Sequence, residues 1–468
     1  MIKGEKMRSR IKWHATALLA GFLLLAPAAA PAAEFSLGGF VALYTIWDST
    51  QINSNLSQPV ARSNDLNNQH GRLKFSSERT RMNFTIKGPE VWGAKTTGFI
   101  EWDFDGGGQE YIFNGNPGGG WASPHKARLR VRHMMFKLNW TDTELMLGQY
   151  WSLLSEDPPE CAKPGTSGVA GMIWHREPQI RLTQKFLGVL SASVALSNPG
   201  SGPDSIQIPT DQFNANNPYL GESTETPRVS ARLKYEQDLW GKAAFYGAPK
   251  GFTAYVAAAW QRLRFRSFPV VANNGRIFGQ NGFTAVTAAQ NAQQYLDPWV
   301  VNGSVFIPIL TTQTKNLANT MSLLSHWYIG TGMDLEKEAL AANASYLRLS
   351  SLQAGTRFGD RQMAKQYGGF VQLQYYFTNQ WFANVLWGMN RVYGIDRSTW
   401  LGPANNSDPV SMHQQYYATL WYQPVKALKF GMEYTYARTN YFQKIQQGSE
   451  ISDQGGNHRL LFVGFFFF

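Results

Sequence analysis

The stretch Ala127–His133 reads ARLRVRH and sets arginine at every second position: Arg128, Arg130 and Arg132. A strand projects alternate side chains to opposite faces, so the three guanidinium groups fall on one side and Leu129 and Val131 on the other. Charged side chains are almost never fully buried without a partner. An arginine turned to lipid near the membrane midplane costs roughly 2–4 kcal/mol. The pattern fits the wall of a membrane barrel, with the aliphatics against lipid and the arginines lining a water-filled lumen.

The N-terminus agrees with that compartment. Lys3, Lys6, Arg8, Arg10 and Lys12 form a basic region, Ala15–Ala26 is apolar, and Ala30-Pro31-Ala32 supplies the small residues of a signal-peptidase site. Residues 1–33 read as a cleaved secretory signal peptide and 34–468 as a single barrel domain. The full chain carries a net charge of +11; the smaller positive surplus left once the leader is removed is met, after export, by solutes or anionic lipid rather than nucleic acid. Cys161 is the only cysteine, so no intrachain disulfide forms.

No run of about 18 or more apolar residues follows the leader, which excludes helical membrane spans. The chain nevertheless carries 16 Trp, 20 Tyr, 29 Phe and 44 Gly with only 16% charged residues. Period-two segments recur throughout. FVQLQYYF sets Val371, Leu373, Tyr375 and Phe377 against Gln372 and Gln374. LKFGMEYTY sets Phe430, Met432 and Tyr434 against Lys429, Glu433 and Thr435. ARLKYE sets Val229, Ala231 and Leu233 against Ser230, Arg232 and Lys234.

Joins alternate in length. Short ones fall at Gly88–Glu90, Thr141–Thr143, Thr378–Gln380 and Pro424–Lys426; long ones at Asp48–His70, Asp105–His125, Ser152–Trp174, Asn198–Thr226, Ser267–Thr320 and Gly394–Met412. Tight periplasmic turns and extended external loops are the rhythm of a transmembrane antiparallel barrel. The count is about sixteen strands, or fourteen if SYLRLSSLQA within Asp334–Gln366 is loop. The terminal NHRLLFVGFFFF places Leu460, Phe462, Phe466 and Phe468 on one face, suited to lipid in a closing strand. Phe465 and Phe467 break that alternation and are expected to pack at the periplasmic rim or against a neighbouring subunit.

Further basic residues join the expected pore wall. AWQRLRFR repeats the arginine device with Arg262, Arg264 and Arg266, SERTRMNF adds Arg79 and Arg81, and Arg232 with Lys234 extend it. The alternative for any one of them is a loop-proximal place, snorkelling or binding lipopolysaccharide phosphate. The loop after Trp151, SLLSEDPPECAKPG, carries Glu156, Asp157, Glu160 and Lys163 beside two prolines. Folded inward, its acids would face the arginine wall and set a transverse field across a constriction, and arginine there favours anions. The alternative is a solvated outer loop whose acids pair with Lys163 and Arg176.

No nucleophile elbow, zinc-protease, phosphate-loop or paired-cysteine motif is present. The histidines are scattered, and no cofactor, metal or catalytic residue is expected.

KARLRVRHMMFKLNW (Lys126–Trp140), LMLGQYWSLLSE (Leu145–Glu156) and GGFVQLQYYFTNQWFANVLWGMN (Gly368–Asn390) resemble the DcaP-like family of trimeric outer-membrane porins. The resemblance implies a sixteen-stranded barrel in the outer membrane of a Gram-negative bacterium, a homotrimer, and passive diffusion of small anionic solutes such as dicarboxylates. It gives the arginine-rich constriction to Arg128, Arg130 and Arg132. Members can carry an N-terminal periplasmic coiled coil, whereas FSLGGFVALYTIW (Phe35–Trp47) begins a strand just after the cleavage site. Trimer contacts would then rest on the barrels themselves. The competing readings are a barrel enzyme acting on lipid or peptide and an adhesive or structural barrel with a plugged lumen; the arginine columns favour the porin.

Overall fold

The computed structural model describes residues 33–51, 60–105, 129–162, 169–199, 224–267, 292–332, 365–393 and 410–468. The leader to residue 32 and the SYLRLSSLQA segment lie outside them. Its strands are β1 (Glu34–Asp48), β2 (Arg72–Ser76), β3 (Arg81–Val91), β4 (Ala94–Asp103), β5 (Arg130–Asn139), β6 (Thr143–Trp151), β7 (Arg176–Phe186) and β8 (Leu190–Ser197). There follow β9 (Arg228–Gln237), β10 (Ala243–Phe245), β11 (Ala248–Lys250), β12 (Phe252–Trp260), β13 (Leu263–Ser267), β14 (Ala292–Leu296) and β15 (Trp299–Leu310). The last six are β16 (Met321–Thr331), β17 (Lys365–Tyr376), β18 (Trp381–Tyr393), β19 (Val410–Val425), β20 (Leu428–Gln447) and β21 (Glu450–Phe467).

Seventeen of these share one antiparallel sheet, while β10–β11 and β13–β14 are separate hairpins. β2 and β3 pair successive halves of β1 and are one wall strand broken at residues 77–80. The wall therefore has sixteen strands, and it closes where β1 meets β21, from Phe40 opposite Phe467 to Asp48 opposite Arg459. Closure leaves no sheet edge, the condition for a strand structure in lipid.

The alternation read from the sequence becomes an inside and an outside. Leu129, Val131, Val229, Leu233, Met432 and Tyr434 are exposed on the outer face, while Gln372, Gln374, Glu433 and Ser230 are buried on the inner one. Leu460, Phe462, Phe466 and Phe468 are outward. Phe465 turns inward instead, edge-to-face on Phe40 (5.3 Å) and Tyr44 (5.9 Å), so the terminal run seals the closing seam from within.

Several joins use X-Gly pairs with positive φ at both residues: Trp92-Gly93 (51° and 72°) and Leu187-Gly188 (53° and 71°). That is the turn whose twist matches a hairpin. The first of them corrects the join expected at Gly88–Glu90, which lies within β3. Two larger corrections offset each other in the strand count. The expected long loop Ser267–Thr320 contains the wall strand β15, and among the described residues β16 pairs directly with β17 in continuous register, with no wall strand between the two. In WVVNGSVFIPIL both faces are largely apolar, which hides the period of β15 from a reading based on polarity.

Candidate permeation site

The chain after Trp151 folds into the barrel. Leu153, Leu154, Ala162, Val169 and Ile173 are almost wholly buried, and the loop is fastened across the lumen to the far wall. The Asn302 amide donates to the Leu154 carbonyl (2.9 Å), the Ala162 amide to Glu433 (2.7 Å) and the Ala170 amide to Gln415 (2.8 Å). Backbone meets backbone at glycines: a Cβ on Gly388 would stand 2.1 Å from the Ala170 carbonyl oxygen, and one on Gly171 (φ +86°) 2.1 Å from that of Gly369. No larger residue fits such an approach.

The loop acids are held in place by bases of the wall and of the β10–β11 hairpin. Glu156 pairs with Arg232 and, at 2.7 Å, with Lys234 of β9. Asp157 pairs with Lys250 of β11. Glu160 pairs with Lys429 of β20, accepts from Gln374 (2.8 Å), and has its backbone bracketed by both ends of the Gln372 amide (3.1 and 2.8 Å). Glu156, Asp157 and Glu160 anchor the loop locally through these pairs instead of facing the arginine column across an open gap. Lys163 lies outside the described residues.

The arginine column stands on the inner wall, and it too carries its own counter-charges. Arg130 makes a two-pronged pair with Asp103 (2.9 and 2.6 Å). Arg132, 1% exposed, reaches Glu101 at 2.6 Å and Asp103 at 2.9 Å. Arg81 lies 3.8 Å from Glu101, and Arg79 3.9 Å from Asp105. A β-bulge between Glu101 and Trp102 shifts the register, which turns both Arg132 and His133 inward. Arg128 lies outside the described residues. The acids were legible in IEWDFD, where Glu101, Asp103 and Asp105 repeat the same period on the neighbouring strand.

The second arginine triplet is placed differently from the expectation. Arg264 and Arg266 lie on β13, whose partner is β14 and not the barrel sheet. Arg262 precedes that hairpin, half exposed, paired with Asp297 at 2.8 Å. These three are outside the wall, because the chain leaves the barrel after Trp260.

Sequence reading missed Arg181 and Lys185 of β7. Both line a polar cavity of about 480 Å³ between the inward loop and the wall, together with Lys137, Tyr150, Thr183 and Arg232. The Arg181 guanidinium donates to Gln179 Oε1 (3.0 and 2.8 Å) and to the Trp151 carbonyl. Its partners are neutral.

A closed sixteen-strand wall with an apolar exterior, a charged interior and a loop drawn across the lumen defines an outer-membrane barrel of porin type. The outer membrane channel DcaP of Acinetobacter baumannii is similar in fold: it covers 93% of this chain and 97% of its own, with a TM-score of 0.61 at 15% identity. An anion-selective porin from Comamonas acidovorans covers 93% of this chain and 100% of its own, with a TM-score of 0.50 at 10% identity. Neither a family model nor a curated relative matches the chain. What is shared with the solved channels is the fold.

Proposed function

We propose that residues 34–468, freed of the leader, form a diffusion porin of DcaP-like kind that passes small, preferentially anionic solutes, dicarboxylates among them. The observation that carries this reading is the charge of the constricted lumen. Arg79, Arg81, Arg130 and Arg132 outnumber Glu101, Asp103 and Asp105 beside them, and Arg181 and Lys185 add charge from β7. Fixed guanidinium groups stay ionised at any accessible pH, so the positive excess is permanent. The bound loop narrows the lumen and brings solutes close to it.

The same reading takes the protein as a homotrimer in lipopolysaccharide-containing membrane, its outer faces near Phe35–Trp47 and Asn457–Phe468 meeting between subunits. Liposomes carrying the purified protein test it by osmotic swelling. Swelling faster in a small dicarboxylate than in a diamine of equal size is expected; absence of swelling in either, with the protein inserted and folded, contradicts it.

A further inference from the structure

The two halves of the lumen differ. Along β15–β19 the inward residues are buried, among them Ser304, Phe306, Leu324, Phe370 and Trp421. Chain from both ends of the pore covers them. The constriction loop arrives from the long-loop side. From the short-turn side, the join between β9 and β12 folds up as the β10–β11 hairpin, turned at Tyr246-Gly247 with φ of 49° and 75°.

This hairpin is built into the interior. Phe245 packs edge-to-face on Phe306 at 5.5 Å, and the Ser322 hydroxyl donates to the Ala244 carbonyl at 3.2 Å. Ala244 belongs to the same apolar cluster as Ala162 of the loop, Leu317, Tyr376 and Trp421. Hairpin and loop are clasped together: the Tyr246 hydroxyl donates to the Pro159 carbonyl (2.9 Å), and Lys250 pairs with Asp157. By contrast, the inward residues Asn83, Thr85, Phe99, Met135 and Lys137 of β3–β5 keep part of their surface open. The polar cavity runs along this side to the turn at Thr141 and Asp142.

We infer that solutes leave the lumen by one off-axis passage along β3–β7, that the β10–β11 hairpin is the floor closing the other half, and that Arg181 and Lys185 sort solutes by charge in that passage. The inference rests on the reading of the chain as a diffusion porin. Charge sorting falls to these two because the other cations of the cavity are matched. Lys137 pairs with Glu144 at 3.0 Å, and Arg232 with Glu156. Among the described residues, no carboxylate stands within ion-pair distance of Arg181 or Lys185. A carboxylate crossing the cavity therefore meets a guanidinium and an ammonium that make no ion pair among the described residues, four residues apart on one strand face, with the Thr183 side chain between them.

Single-channel recording of the full protein, with Cys161→Ser as background, tests this. Thr183→Cys places a thiol in the passage and Ser304→Cys places one behind the floor. A negatively charged methanethiosulfonate is expected to lower conductance through Thr183→Cys and to leave Ser304→Cys unchanged. Arg181→Gln and Lys185→Gln are each expected to move the reversal potential toward cation preference while conductance persists, and Arg181→Lys to restore it. Block at Ser304→Cys with Thr183→Cys silent overturns the off-axis passage and leaves the porin reading standing. Unchanged reversal potential in both glutamine variants overturns the charge assignment. Inserted, heat-modifiable barrels that conduct no ions overturn this inference and the porin reading together.

Discussion

Arg132 Nη1 stands 2.9 Å from Asp103 Oδ2, and both side chains are only 2% exposed on the inner wall. The same carboxylate receives Arg130 at 2.6 Å, so one acid secures two members of the column. Removing one partner of a buried pair costs about 3–5 kcal/mol, because the remaining charge stays desolvated. Asp103→Asn is therefore expected to lower the temperature at which the barrel loses its compact mobility on a gel. The same variant removes a negative charge from the pore and is expected to raise anion preference. A variant as heat-resistant as the parent would show the pair to be hydrated and unimportant to stability.

The docking of the constriction loop depends on close backbone approach at Gly171 and Gly388. Gly388→Val places side-chain atoms where the Ala170 carbonyl now lies, so the loop must lift from the wall. A larger and noisier single-channel conductance is expected, with entry of solutes the parent excludes. Unaltered conductance from a correctly inserted variant would mean that the loop does not set the width of the pore.

Acid should loosen the same loop through Glu156. Burial raises its carboxyl, but Arg232 and Lys234, with Lys250 beyond them, pull it down further, and the net shift is below the usual carboxylate range. A depressed folded value means that the docked loop is stabilised above the ordinary glutamate value of about 4.3 and loses this stabilisation as pH falls through the depressed one. Steady conductance is expected near neutrality, with flickering once the pH is lowered past the ordinary glutamate range into the depressed one. Glu156→Gln should flicker at neutral pH and lose that acid dependence. An identical acid transition in parent and variant would assign it to another group.

The seam between β1 and β21 carries the assembly prediction. Phe465 fills it from inside against Phe40 and Tyr44, while Phe466 and Phe468 lie on the outer surface. Phe465→Ala is expected to slow barrel closure and yield more unfolded species. Detergent-extracted parent protein is expected to have the mass of three copies by light scattering with detergent subtracted. A monomer under mild extraction would contradict the proposed packing of the outer faces.

The part of this molecule that was legible in sequence is the part that lipid dictates locally. A wall between lipid and an aqueous interior forces period two, so strands such as Gly368–Tyr376 and Leu428–Tyr436 declare which residues face where. Gln372, Gln374 and Lys429 even fell on the correct face, although nothing local tells that they hold Glu160. Partnership depends on register, which is a relation between strands. Arg130 and Arg132 read alone as a bare positive wall; only their alignment with Glu101 and Asp103 shows them matched. Arg262, Arg264 and Arg266 have the same spacing as the wall column, and only the path of the chain after Trp260 separates the two cases. The β10–β11 hairpin is marked in sequence by Tyr246-Gly247, yet its course into the lumen is set by contacts with Phe306 and Asp157, distant along the chain.

The most direct test of the positive lumen is the zero-current potential of the reconstituted protein across a potassium chloride gradient, in the parent and in Arg130→Gln/Arg132→Gln. Guanidinium charge cannot be titrated away, so substitution is the means of removing it. The parent should show anion preference, strongest at low salt, where the Debye length is about 30 Å at 0.01 M against about 3 Å at 1 M. The double variant leaves Glu101 and Asp103 without these partners and should move toward cation preference, by more at low salt than at high. A parent that prefers cations, or a variant that conducts normally with an unchanged zero-current potential at low salt, would contradict the account.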